Sequence, residues 1–153
     1  MGKRCVTAAV RPIRYSDVLD APNAAQLIRE YAVECSIPDA DPQVQIYAAM
    51  EQAGALQVFG AYVGDELVGF ASVLSSVMPH HGKKVATIES IFVSSEHRSS
   101  GAGNALMSAC ERYADDIGCV GLLYTVRIGS RLDKILARRG DCIPTHSVYT
   151  RWF

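Results

Sequence analysis

The 153-residue chain has no apolar run long enough to cross a membrane. Its basic opening, Met1-Gly2-Lys3-Arg4, leads into an apolar stretch that Arg11 ends after Val10. That is too short for the core of a secretory leader, and Gly2 lies in no strong lipidation context, so a cytoplasmic protein with no membrane partner is expected. Neither charge is in excess: 15 Lys and Arg face 16 Asp and Glu, a net charge of −1. No broad basic face is implied, which argues against a nucleic-acid partner. Paired cysteine spacing is missing too. The five cysteines (Cys5, Cys35, Cys110, Cys119, Cys142) are odd in number and form no Cys-x-x-Cys. They read as reduced thiols, small core residues with neither a disulfide framework nor a metal site. With no linker, repeat or low-complexity segment, residues 1–153 read as one domain able to bury a full core.

What the chain does contain is concentrated between Ile88 and Met107. Ile-Glu-Ser-Ile-Phe-Val is a strand, and Ser-Ser-Glu-His leads into Arg98-Ser99-Ser100-Gly101-Ala102-Gly103. Asn104-Ala-Leu-Met then opens an amphipathic helix. Such a junction gathers backbone N–H groups at the positive end of a helix dipole, a ready seat for phosphates. Gly101 and Gly103 permit close approach, and Arg98 adds a fixed positive charge. Two other phosphate motifs fit worse. The P-loop needs a lysine after its last glycine, and none lies here. The dinucleotide fingerprint needs a third small residue where Leu106 stands, and an acidic residue about 20 positions on, where Leu123 to Val126 occur.

The rest of the chain supplies the order of elements. Residues 5–14 form a strand that Pro12 confines to a sheet edge. Ala24, Leu27, Ile28, Tyr31 and Cys35 recur at helical spacing, and Pro38-Asp39-Ala40 ends that helix. Asp41 caps a second helix with Pro42 at its first position, and Gly54 closes it. Residues 56–63 and 67–77 make a hairpin around Gly64-Asp65-Glu66. Residues 78–83 make a second turn, in which His80 and His81 are either solvated or a lip of a pocket. Residues 84–93 are the strand entering the motif. The helix after it buries Leu106, Ala109, Cys110, Tyr113 and Ile117 and stops at Gly118. Residues 119–126 read as a central strand covered on both faces. Residues 130–139 form a short amphipathic helix, and residues 147–152 alternate as a final strand.

Arg-x-x-Gly-x-Gly directly after a hydrophobic strand resembles the acetyl-CoA signature of the GNAT N-acetyltransferase superfamily, and the element order is similar over essentially the whole chain. The resemblance implies an α/β (α+β) fold: a mixed, mostly antiparallel twisted sheet flanked by four helices. It also implies transfer of acetyl from acetyl-CoA to a primary amine of a small molecule or peptide by direct attack. The diphosphate would lie on Arg98, Ser99, Ser100, Gly101, Ala102, Gly103 and Asn104. The pantetheine arm would run beside Ile91, Phe92 and Val93, whose strand N–H groups would polarise the thioester carbonyl. The family's helix-start asparagine is missing, with Gly129-Ser130 there instead, and Ser130 is placed among the implied coenzyme contacts.

An attacking amine must be neutral, and a lysine-like amine of pKa about 10.4 is neutral in only about one part in a few thousand at pH 7. A carboxylate offsets this by taking the proton. Glu89 is the only acidic residue between Glu66 and Glu96 and sits within an apolar strand. Its setting is similar to the Leu-Glu-Asp-x-x-Val of polyamine-acetylating relatives, with Ser90 in place of the aspartate. Glu89 is therefore either a base or substrate-binding group, or a structural carboxylate facing solvent or an arginine. The family's general acid is a tyrosine four residues before a glycine, and counting back from Gly140 gives Leu136. Tyr124 and Tyr149 are the candidates to replace it. Without an acid, the alternative is a non-catalytic acyl-CoA-binding or interaction domain of the same fold. Asp39, Asp41 and Glu34 would make an acceptor pocket acidic. Trp152-Phe153 and the short tail point to a homodimer, with the last strand shortened or paired with a second subunit.

Overall fold

The computed structural model describes residues 7–36 and 41–153. Cys5, the start of the first predicted strand, and the break at Pro38-Asp39-Ala40 lie outside the described residues. Five strands form one sheet in chain order: β1 (Ala9–Ile13), β2 (Leu56–Val63), β3 (Glu66–Met78), β4 (Lys83–Val93) and β5 (Leu122–Tyr124). The first four are antiparallel, and β5 runs parallel to β4. Pro12 stands opposite Phe59 on β1, which pairs on one side only, so its missing N–H removes no second ladder. Gly64-Asp65 joins β2 to β3 in a two-residue turn, and the Gly64 φ of +61° is the conformation such a turn needs.

The helices are α1 (Tyr15–Asp20), α2 (Ala24–Cys35), α3 (Val44–Gln52), α4 (Ala102–Asp116) and α5 (Arg131–Leu136). There are five among the described residues rather than the four expected. The added one is α1, at six residues too short to show a period. It starts where Asp17 folds back to accept the Arg14 N–H at 2.8 Å. It is tied to α3 by the Tyr15 N–H donating to Glu51 Oε1 at 2.7 Å. Helix α3 begins later than the Asp41–Pro42 cap predicts, with Gln43 at its N-cap. The Asp41 carboxylate instead accepts from the Gln43 side-chain amide at 2.8 Å. Its end is as expected: Gly54, at φ +68°, donates to the Glu51 carbonyl.

Two apolar layers cover the sheet. On one face α4 lays Ala102, Leu106, Ala109, Cys110 and Ala114 against Ala71, Val73, Ala86 and Ile88. On the other, Tyr15, Val18 and Leu27 of α1 and α2 pack on Leu56, Val58, Leu67, Phe70 and Phe92. Only Cys110 of the four described cysteines is core, its thiol pushed up to about 12 by burial. Cys35 is exposed, and Cys119 and Cys142 are half-buried. The expectation of small core thiols therefore holds at one position alone.

Strand β4 changes face midway. Ser72 pairs with Ser90 and Val73 with Ile88, so Glu89 is an extra, unpaired residue, a β-bulge. Before it, Ala86 and Ile88 face α4; after it, Phe92 faces α1 and α2, while Ile91 and Val93 turn to α4. Gly69 lies against this second half. A Cβ there would stand 2.5 Å from the Phe92 carbonyl oxygen and 3.0 Å from Val93 Cγ2. Since backbone cannot yield as a side-chain tip does, Gly69→Val is expected to destabilise by at least about 2 kcal/mol. A urea midpoint unchanged from the parent chain would refute that packing.

Two C-terminal expectations are corrected. Strand β5 keeps three residues and forms the sheet edge rather than a central strand, with Leu123 exposed. Nothing among the described residues pairs with its outer side. Residues 147–152 form no strand: Val148, Tyr149 and Trp152 are exposed. A strand's apolar alternation needs a ladder partner, and here the described chain supplies none.

Candidate active site

The ladder between β4 and β5 covers Ala86, Ile88 and the residue between them, opposite Leu122 to Tyr124, and stops at the bulge. From Glu89 to Val93 the β5-facing edge of β4 has no strand beside it among the described residues. That open edge leads through Ser94 and a 3-10 turn (Ser95–His97) to the glycine loop. Gly101 is the N-cap of α4, at φ +81°, a conformation that costs any residue with a Cβ. A Cβ added to Gly101 meets no atom within 4 Å, so the space in front of the loop is open.

The amides there are available. Ala105 N–H closes the first helical turn on the Gly101 carbonyl at 3.0 Å, and Ser100 Oγ accepts the Ala102 N–H at 3.3 Å. The N-cap residue, Gly101, has no side chain to offer, and the Gly103 and Asn104 amides meet no acceptor among the described residues. First-turn amides of a fifteen-residue helix carry its positive end. This cradle fits a diphosphate. Ser99, Gly101 and Asn104 are exposed; Ala102 is buried beneath them.

Arg98 belongs to the loop but is turned away from it. Its Nε donates to the Val93 carbonyl at 3.2 Å and its Nη2 pairs with Glu34 of α2. The arginine thus staples the end of β4 to α2. Glu34 is neutralised rather than left to make a pocket acidic; Asp39 lies outside the described residues.

Glu89 is exposed at the bulge, on the face of α1, α2 and α3. Its Oε1 accepts from Tyr47 Oη at 3.0 Å and its Oε2 from Ser72 Oγ at 2.5 Å. Ser72 Oγ is in turn 2.7 Å from Ser90 Oγ. Both serines are buried, at 1% and 5% exposure, and satisfied by this chain of hydroxyls. No lysine, arginine or histidine pairs with Glu89 among the described residues. The arginine partner allowed for it in sequence is not there. The phenols of Tyr15, Tyr31 and Tyr47 are held above their ordinary range, first by burial and then in part by the Glu89 charge. Tyr15 and Tyr47 stack with ring centroids 3.7 Å apart and planes at 7°.

The other sequence-predicted residues are not brought to this point. Tyr124 Oη donates to Glu111 Oε1 of α4 at 2.6 Å, and Arg139 Nη1 holds the same oxygen at 2.6 Å. Burial and that bond raise the Tyr124 phenol, which lies on the α4 face, opposite Glu89. Tyr149 is 93% exposed in the tail. Ser130 caps α5, its Oγ accepting the Asp133 N–H at 3.1 Å. His80 and His81 occupy an exposed turn, where His81 Nδ1 accepts the Lys83 N–H at 3.1 Å. Tyr47, Ser72 and Ser90 were missed. Of these only Ser90, beside Glu89, carried any local signal.

A five-strand sheet opening beside a glycine-capped helix is the architecture of an acyl-CoA acetyltransferase. The family model described as "Acetyltransferase (GNAT) family" matches residues 24–131. The chain belongs to the GNAT acetyltransferase family, whose members use acetyl-CoA. No curated protein sequence matches it. Among solved structures it is similar to an aminoglycoside acetyltransferase, meta-AAC0020, from an uncultured soil metagenomic sample in complex with sisomicin. The identity is 16%, 95% of each chain is covered, and the TM-score is 0.72. It is similar also to a ribosomal-protein-alanine N-acetyltransferase from Brucella melitensis biovar Abortus 2308, at 20% identity over 96% of this chain and 99% of that one, with a TM-score of 0.71. A third, AAC(6')-Iy in complex with the bisubstrate analog CoA-S-monomethyl-acetylneamine, gives 17% identity, coverage of 95% and 97%, and a TM-score of 0.72. At these identities the likeness is one of fold. No helix among the described residues is long and apolar enough to span a membrane.

Proposed function

We propose that residues 1–153 act as a single-domain N-acetyltransferase, moving acetyl from acetyl-CoA to a primary amine of a small molecule or peptide by direct attack. One observation carries this reading: a carboxylate with no counter-ion among the described residues, fixed by two hydroxyls where β4 and β5 part. It lies only four residues, about 13 Å of strand, before Val93, where β4 ends and the chain turns toward the glycine loop. Gly101, Ala102, Gly103 and Asn104 hold the diphosphate by their amides, with Ser99 and Ser100 shaping the loop. Arg98 serves as the staple that sets the loop's position. The free edge at Ile91, Phe92 and Val93 holds the pantetheine arm. Bound there, acetyl-CoA supplies an activated acyl group. Glu89 takes the proton that the amine loses, and Ser72 and Tyr47 keep its two oxygens oriented while it does so.

A non-catalytic acyl-CoA-binding domain is the second reading. It is favoured by Leu136 at the family's tyrosine position and by the engagement of Tyr124 with Glu111. A thiol of pKa about 8.5 leaves tolerably without an acid, so the first reading stands ahead. The two separate when protein, acetyl-CoA and a panel of amines are incubated and free thiol is followed. Amine-dependent thiol release is expected. A melting temperature raised by CoA with no release from any amine would install the second reading. We place the protein in the cytoplasm, acting on no nucleic acid or membrane, and as a homodimer that covers the open outer side of β5 and the apolar tail.

A further inference from the structure

The tyrosines around Glu89 answer a question that the family fold leaves open, namely which amine the site receives. Among the described residues Glu89 is hydrogen-bonded only to uncharged hydroxyls, and its negative charge meets no cation. Acidic groups on α1, α2 and α3 are engaged elsewhere, save Asp20 at the exposed end of α1. Glu34 of α2 is paired with Arg98; Glu30 of α2 accepts from Gln26 and from the Ser95 N–H; Glu51 of α3 accepts the Tyr15 N–H. On α1, Asp17 is spent on the Arg14 N–H. The groups left facing Glu89 are Tyr15 of α1, Tyr31 of α2 and Tyr47 of α3. Tyr31 is braced edge-on against Phe70 and Phe92 at 5.5 and 5.9 Å, and Tyr47 lies flat on Tyr15. Tyr31 and Tyr47 are only half-buried, and Glu89 is exposed, so this aromatic wall is reachable from solvent.

A single unpaired carboxylate beside π faces is complementary to one ammonium on an apolar body. It offers a polycation no second anion, while the rings give an apolar or aromatic body contact that a polyamine or aminoglycoside cannot match. We propose that Tyr47 is the positioning residue for Glu89, and that Tyr47, Tyr15 and Tyr31 select a monocationic alkyl- or arylalkylamine as acceptor. This rests on the acetyltransferase reading given above. Tyr47 acts through Glu89: its hydroxyl fixes Oε1 and stabilises the charged carboxylate, and its ring forms part of the wall.

The test compares 2-phenylethylamine, spermidine and sisomicin as acceptors, with the parent protein and with Tyr47→Phe and Tyr47→Ala. The parent is expected to favour 2-phenylethylamine in kcat/KM by about tenfold, roughly the worth of the aromatic pair that its phenyl ring makes with the wall. Tyr47→Phe keeps the ring and loses a hydrogen bond to a charged group. It should lower kcat about tenfold or more with little change in KM. Tyr47→Ala should raise the 2-phenylethylamine KM in addition. It should also weaken calorimetric binding of that amine to CoA-saturated protein by about tenfold. Preference for spermidine or sisomicin, or a Tyr47→Phe variant with kcat unmoved, overturns the proposal and leaves the acetyltransferase reading intact. No thiol release with any amine, alongside stabilisation by CoA, overturns both.

Discussion

Gly101→Glu is expected to abolish CoA binding in a protein that still folds. At φ +81° any Cβ is strained by about 1–2 kcal/mol, so the free variant should melt somewhat lower. The substituent meets no atom within 4 Å, so nothing in the core is displaced. It stands in open space at the N-cap of α4, and it brings negative charge to the helix end whose first-turn amides would seat a diphosphate. At a CoA concentration one hundred times Kd, the parent chain gains about 2.7 kcal/mol. For a domain of this size that is a rise of roughly 5–11 °C in melting temperature. The variant should show no rise. Gly101→Ala carries the same backbone strain without the charge or bulk and should keep most of the shift, which separates blockade from misfolding. Undiminished CoA affinity in Gly101→Glu would remove the phosphate cradle from the account.

Glu89→Gln should have the second largest effect, and its pH dependence is the informative part. Glutamine preserves size and can still meet Tyr47 and Ser72, but it takes no proton. A positioned base contributes about a hundredfold or more. Its advantage is greatest where the amine is almost wholly protonated, near pH 7, and shrinks as pH approaches the amine pKa of about 10.4. The ratio of parent to variant kcat should therefore fall from about a hundredfold at pH 7 toward only a few-fold at pH 10. A constant ratio across that range would mean that Glu89 holds substrate without moving its proton.

The glycine loop was legible as a strand-to-helix junction because its signal is local. A strand, two glycines and a helix start within sixteen residues state both the backbone conformation and the direction of the amides. Helix α4 was legible for the same reason, its buried residues recurring over four turns and ending at Gly118. Tyr47 was not, because it reaches Glu89 across 42 residues, from a helix with no fully buried position. Its value is set by how α3 docks, which no local pattern records. The place of β5 was misjudged because an apolar run reads alike whether a strand is flanked on both sides or on one. Arg98 carried the right identity for an anion contact, yet its partner was Glu34, a choice fixed by the packing of α2 on the end of β4.

The bulge at Glu89 also governs how this protein tolerates change. Because one supernumerary residue flips the second half of β4, every position from Ser90 to Val93 owes its environment to a count rather than to its own identity. Deleting a single residue there would rotate Phe92 out from beneath α2 and drive Ile91 and Val93 into its place, leaving composition nearly untouched. Point replacements along that stretch can be absorbed one at a time. A change in length cannot, so insertions and deletions should be purged from these few residues far more strictly than substitutions.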